Sequence, residues 1–156
     1  LNSKTEPVAI VLSRQNLPFL EKSGAEAKKG AYLVAGTPSQ DADVILIATG
    51  SEVQLVVGAA EELAKEGIKA AAISMPSMDV FEKQPEAYKE ALLPKNKTKR
   101  IAVEALSEFG WHKYTGLEGK VISMSGFGES APAGKIFKKN GFTVENVVEQ
   151  AKSLLK

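Results

Sequence analysis

Apolar and polar positions fall in blocks along this chain, and the blocks change period in a regular order. Val44-Ile45-Leu46-Ile47-Ala48-Thr49 is apolar without alternation, the pattern of a parallel strand buried on both faces. Gly50 ends the run, and Ser51 with Gln54 forms an S-x-x-Q capping box that predicts a helix start. Val53, Val56, Val57, Ala60, Leu63 and Ala64 share one face at helical spacing, and Gly67 stands where a C′ residue belongs. A second apolar run from Ile68 to Ser74 completes a β-α-β unit over residues 44–74, with a right-handed crossover expected. Arg100 to Ala105 and Val121 to Met124 read as further parallel strands. Ala31 to Val34 forms a short strand before the polar turn Thr37 to Asp43. That turn is short enough for a hairpin-like reversal, which makes this strand the antiparallel member of an otherwise parallel sheet.

The intervening stretches carry helix signals. Asp79 is expected to cap a short helix near Val80 to Lys83, and a second piece runs from Glu86 to Leu92 between Pro85 and Pro94. At the end of the chain Thr143 is a natural N-cap, and Glu145 complements the helix dipole. Val144, Val147, Val148, Ala151, Leu154 and Leu155 make one stripe there, with Phe142 and Val147 placed as a hydrophobic staple. The fold class predicted is α/β, in three α/β/α layers.

The opening run Pro7-Val8-Ala9-Ile10-Val11-Leu12 predicts one more strand, followed by Ser13-Arg14-Gln15-Asn16-Leu17-Pro18 at its exit. Asn16 to Gly30, with Pro18, Gly24, Gly30 and the pair Lys28-Lys29, reads as connecting chain. Residues 1–23 are therefore assigned to a neighbouring domain, 24–30 to a linker and 31–156 to the main domain. The first methionine is Met75 and the chain opens on Leu1, which suggests a piece of a longer polypeptide.

Composition narrows the function classes. The 156 residues suffice for one domain with a real core. Lys and Arg total 20 against 19 Asp and Glu, a net charge of +1, so no strong field favours nucleic acid or an anionic membrane. Without cysteine there is no disulfide, thiol chemistry or Cys-ligated metal. No apolar run approaches the roughly 20 residues of a membrane span. These features predict a cytoplasmic location.

Arg14 is the leading candidate site residue. A guanidinium where the backbone leaves a strand suits a phosphate or carboxylate, although an inter-domain salt bridge is the alternative. Gly50-Ser51-Glu52 lies at a helix N-terminus, where an anion could sit, but Glu52 already places a carboxylate there and the capping reading is preferred. His112 is the lone histidine, so no His-ligated metal site can be assembled, and packing or an interface hydrogen bond is its expected role. Gly126-Phe127-Gly128-Glu129-Ser130-Ala131-Pro132 lacks the dinucleotide and P-loop spacings and reads as a strand-to-helix loop, with Pro132 at N1. Glu104, Ser74-Met75-Pro76-Ser77 and Ser125-Gly126 fall at carboxyl ends of strands, the usual ligand crevice of an open α/β sheet.

Six segments in order carry a resemblance. They are Ile10 to Pro18, Ala48 to Val53, Ser74 to Ser77, Phe109-Gly110-Trp111-His112-Lys113-Tyr114, Phe127 to Ala133, and Asn140-Gly141-Phe142-Thr143-Val144-Glu145-Asn146-Val147. Together they resemble the C-terminal portion of the transketolase family over nearly the whole chain. The resemblance implies a five-stranded mixed sheet with one antiparallel strand. It also implies a parent enzyme of three domains, a homodimer dependent on thiamine diphosphate and Mg²⁺ (or Ca²⁺), that moves a two-carbon ketol unit between sugar phosphates in the pentose phosphate pathway. Arg14 matches the arginine that grips the sugar phosphate, at the end of the pyrimidine-binding domain. The chain has no Gly-Asp-Gly segment with a downstream Asn, so no cofactor, metal or catalytic residue is assigned to it, and Glu104 is not given the cofactor-activating role. It is expected to be inactive alone, supplying contacts to the remaining domains and to the dimer. Two alternatives remain: the C-terminal domain of another thiamine diphosphate enzyme, or a regulatory module binding a small anion at the strand-end crevice.

Overall fold

A computed structural model describes residues 4–13 and 15–156. Five strands, β1 (Tyr32–Gly36), β2 (Val44–Ala48), β3 (Ala70–Ser74), β4 (Arg100–Glu104) and β5 (Lys120–Ser123), form one sheet in the order β1-β3-β2-β4-β5. The pairs β2–β3, β2–β4 and β4–β5 are parallel, and β1 runs antiparallel to β3. The expected antiparallel strand is thus present, but the hairpin is not. Strand β2 occupies the centre with both its edges taken by β3 and β4, so β1 joins the outer edge of β3 with Tyr32 opposite Ser74.

Every residue of β2 and of β3 is buried, as the continuous apolar runs require. Alternate residues feed two cores. On one face Leu46, Ala72 and Val103 pack with Val56, Ala60 and Leu63 of α1 (Val53–Lys65) and with Val147 and Ala151 of α6 (Val144–Leu154). On the other, Ile45, Ile47, Ile73 and Ala102 pack with an aromatic cluster. Phe81 of α2 (Met78–Glu82) meets Tyr88 of α3 (Glu86–Leu92) and Tyr114 of α4 (His112–Thr115), and Tyr114 meets Trp111, at centroid distances of 6.1–6.4 Å. The arrangement is the three-layer α/β/α fold. Helix α5 (Ala133–Lys139) lies between β5 and α6 in the chain, and Phe137 packs against Phe142.

The helix ends show where local signals held. Thr143 caps α6 by accepting from the Asn146 N–H at 3.2 Å, and Phe142 and Val147 are both buried in the same core. Gly67 follows the C-cap Glu66 with φ +79°, the left-handed conformation that only glycine adopts without strain. Three details differ. Ser77, not Asp79, caps α2, its Oγ accepting from the Val80 N–H at 3.3 Å. Pro132 precedes α5 as its N-cap with φ −54° and ψ 132°, one residue before N1. The Ser51–Gln54 capping box does not form, because the Ser51 hydroxyl donates to the Glu52 carboxylate and the Gln54 amide donates to the Ser51 carbonyl.

The opening run, which the sequence assigns to a neighbouring domain, does not join this sheet. Residues 7–12 form no strand, and Val11 is 95% exposed. A strand needs an edge to pair with, and this run pairs with neither edge strand, β1 or β5. Arg14 lies outside the described residues.

Candidate functional site

The sheet order places a topological switch between β2 and β4. The chain leaves β2 into α1 on one face of the sheet. It leaves its neighbour β4 toward α4, whose Tyr114 packs on the opposite face. The two connections diverge, and between them opens the crevice in which α/β sheets commonly hold ligands.

Here that crevice is filled by the protein itself. Glu52, 3% exposed, ends a 3-10 turn over Gly50–Glu52 and leads into α1. Its Oε2 accepts from the Ala105 backbone N–H at 3.2 Å, across the switch, while the Ser51 hydroxyl donates to Oε1. Burial pushes the Glu52 carboxyl above the usual carboxylate range. The two hydrogen bonds oppose that rise, and the neighbouring Glu104 charge adds to it. Glu104, at the end of β4, accepts from the Leu106 N–H at 3.1 Å and from the Trp111 indole Nε1–H at 3.2 Å. Two carboxylates therefore meet at the strand ends, each held by donors of the Ala105–Trp111 segment.

That segment is anchored at its ends and exposed in its middle. Leu106 accepts through its carbonyl from the Met124 N–H at 2.8 Å, and the Trp111 side chain is 2% exposed. Between them Phe109 is 91% exposed, and Leu106 also faces solvent. His112 begins α4 on the surface with Nε2 3.5 Å from Glu108 Oε2, a contact between residues four apart in sequence. In the loop after β5, Phe127 is fully exposed, and the Lys139 ammonium donates to the Glu129 carboxylate at 2.6 Å.

On the other side of β2 a cavity of about 420 Å³ lies at the same end of the sheet, lined by Tyr32, Gly50, Val53 and Ser74 and covered by Leu17 to Leu20 and Ser23. The connecting chain thus crosses the strand ends instead of standing apart from the domain. Ser74 is buried in this wall, and Ser77 is occupied as a helix cap. Among the described residues no group of three or more His, Asp or Glu is placed to hold a metal ion, and no helix is long and apolar enough to cross a membrane.

The sequence places Glu52 at a helix N-terminus and Glu104 at a strand end, but their joint hold on one loop is not apparent from it. The usable signal was an acidic residue at or shortly after the end of a largely apolar strand, where a side chain pointing inward must find a donor.

The geometry defines an open α/β domain whose switch-point crevice is closed by its own carboxylate. The family profile described as the transketolase-like TK C-terminal domain matches residues 30–143. Transketolase of Bacillus subtilis is 48% identical over 159 aligned residues, covering 99% of this chain and 24% of that protein. Among solved structures, transketolase from Leishmania mexicana superposes with a TM-score of 0.83 at 40% identity, over 91% of this chain and 20% of that one. A complex of Pichia stipitis transketolase with sedoheptulose-7-phosphate superposes with a TM-score of 0.82 at 42% identity, over the same shares. The chain belongs to the transketolase-like C-terminal domain family. It spans about a quarter of the length of the curated relatives it matches.

Proposed function

We propose that this chain serves as the C-terminal domain of a thiamine diphosphate-dependent transketolase. In this reading the parent is a cytoplasmic homodimer that transfers a two-carbon ketol unit between sugar phosphates. The observation that carries the reading is the alignment itself: 99% of the chain matches the transketolase of Bacillus subtilis at 48% identity. The sugar phosphate bound by the Pichia stipitis relative supports the substrate class. Thiamine diphosphate and its divalent metal would be held by the other domains of the parent enzyme. Residues 1–23 would complete the preceding pyrimidine-binding domain, 24–30 would link, and Arg14 would grip the substrate phosphate.

The exposed apolar side chains fit this role. Phe19, Leu106, Phe109 and Phe127 lie in segments that cross or leave the carboxyl end of the sheet. Exposed side chains of that size gathered at one end of a domain mark a surface that partners cover. The partner is the remaining three-quarters of the enzyme, and the chain alone would have no ketol-transfer activity. The anion-binding regulatory reading is disfavoured, because a carboxylate sits in the crevice it would need.

The test joins this chain, in place of the C-terminal quarter, to the preceding portion of Bacillus subtilis transketolase. Sedimentation is expected to give a dimer, with chymotryptic cleavage after Phe109 at least about tenfold slower than in the isolated chain. A monomer that leaves Phe109 fully open would overturn the reading.

A further inference from the structure

We infer that Glu52 is the positioning residue for the Ala105–Trp111 loop, holding it in the shape that meets the remaining polypeptide. The second half of this statement rests on the function proposed above, while the first stands on geometry alone. Glu52 and Ala105 are 53 residues apart in sequence and belong to connections that leave the sheet on opposite faces. The other described hydrogen bonds on the loop are internal to it or come from its own side of the switch: Glu104 on its parent strand and Met124 on the next strand's exit. Ala105 also packs against the core on the α1 face, and the Glu52–Ala105 bond is the one described hydrogen bond that ties the loop to the start of α1.

Its chemistry suits this role better than catalysis or ligand binding. The carboxylate is buried, one oxygen on the Ser51 hydroxyl and the other on the Ala105 amide, so both oxygens are engaged inside the fold and turned away from solvent. An acidic side chain kept buried beside Glu104 is a costly way to fill space, since burial and like charge both disfavour the anion. Its use is directional: an acceptor placed where the backbone of a neighbouring connection offers a donor at the base of a loop. Without it the Ala105 N–H has no acceptor in the crevice, and the segment carrying Leu106 and Phe109 loses its restraint at the base.

The loop itself supplies the assay. Phe109 and Phe127 are both exposed chymotrypsin sites on adjacent loops, and only the first is tied to Glu52. The isolated 156-residue chain is cleaved as the unsubstituted form, Glu52→Met and Glu52→Gln, and the rate after Phe109 is divided by the rate after Phe127. Methionine keeps the length and removes the acceptor, whereas glutamine keeps an amide oxygen able to accept from Ala105. The expected ratio rises about tenfold in Glu52→Met, the scale of one lost hydrogen bond to a charged group, and stays within about twofold in Glu52→Gln. An unchanged ratio in Glu52→Met, an equal rise at both sites, or a glutamine variant as loose as the methionine one would overturn the inference. In the joined enzyme, Glu52→Met is expected to weaken the shielding of Phe109 while Glu52→Gln preserves it. Failure of the unsubstituted joined enzyme to shield Phe109 would instead count against the assembly reading, with the ratio in the isolated chain still deciding Glu52's hold on the loop.

Discussion

The Tyr114 hydroxyl donates to Glu82 Oε1 at 2.9 Å, fastening α4 to α2 on the aromatic face of the sheet. The Lys113 ammonium lies 2.9 Å from the other carboxylate oxygen, so one glutamate joins two neighbouring residues of α4. The Lys113 hydrogen bond, with help from Tyr114, holds the Glu82 carboxyl below its ordinary range, and burial together with the Glu82 contact pushes the Tyr114 phenol well up. A depressed carboxyl stabilises the fold above its unfolded value of about 4 and loses that contribution as pH falls through the folded value. Glu82→Gln is therefore expected to lower Tm at pH 7 and to match the unsubstituted chain near the acid end of a thermal-melt pH series.

Glu52 titrates with the opposite sign. Its folded value is raised by burial, so its contribution is largest below the unfolded value and is lost as pH rises through the folded one. As pH falls toward the unfolded carboxylate value, the unsubstituted chain should gain stability relative to Glu52→Gln, measured as the difference in denaturation midpoint across a pH series.

Arg100 spans four backbone carbonyls. Its guanidinium donates to Lys97 and Tyr114, each at 2.7 Å, to Pro94 at 2.6 Å and to Leu93 at 3.1 Å. A half-buried planar fork closes the end of α3 and ties it to α4, a geometry that a lysine cannot reproduce. Arg100→Lys is expected to cost about 1–3 kcal/mol in urea denaturation, by leaving carbonyls without donors.

Two glycines with the same positive φ should respond differently to alanine. Gly36 and Gly67 both have φ +79°, but a Cβ on Gly36 would meet the Ala70 carbonyl oxygen at 2.1 Å while one on Gly67 meets nothing within 4 Å. Gly67→Ala is expected to cost about 1–2 kcal/mol, the left-handed penalty alone. Gly36→Ala adds a backbone clash between β1 and β3 and should cost clearly more in the same denaturation assay.

For Arg14 the expectation concerns the joined enzyme. Arg14→Ala should weaken phosphorylated sugars by about 1.5–3 kcal/mol, read as a rise in KM, with non-phosphorylated substrates unaffected. An unchanged KM for phosphorylated sugars would remove Arg14 from the site.

The elements set by local pattern were legible in the sequence. The apolar runs at residues 44–49, 68–74, 100–105 and 121–124 correspond to β2 to β5, and the Thr143 cap and Gly67 stop are where they were expected. What was not legible depended on residues far apart in the chain. A turn of suitable length between β1 and β2 suggested a hairpin, but the competition for edges of β2 is decided by β3 and β4. Ser51 and Gln54 had the spacing of a capping box, yet the Ser51 hydroxyl is drawn to the Glu52 carboxylate, which reaches Ala105 across the switch. The apolar run at residues 7–12 had the composition of a strand without an edge to join.

Ketol transfer by the joined enzyme tests the account most directly. With thiamine diphosphate and Mg²⁺ supplied, the joined chain is expected to move a two-carbon unit between sugar phosphates, and the isolated chain to show no transfer. A joined enzyme that folds and dimerises yet transfers nothing, or an isolated chain that is active, would contradict the assignment.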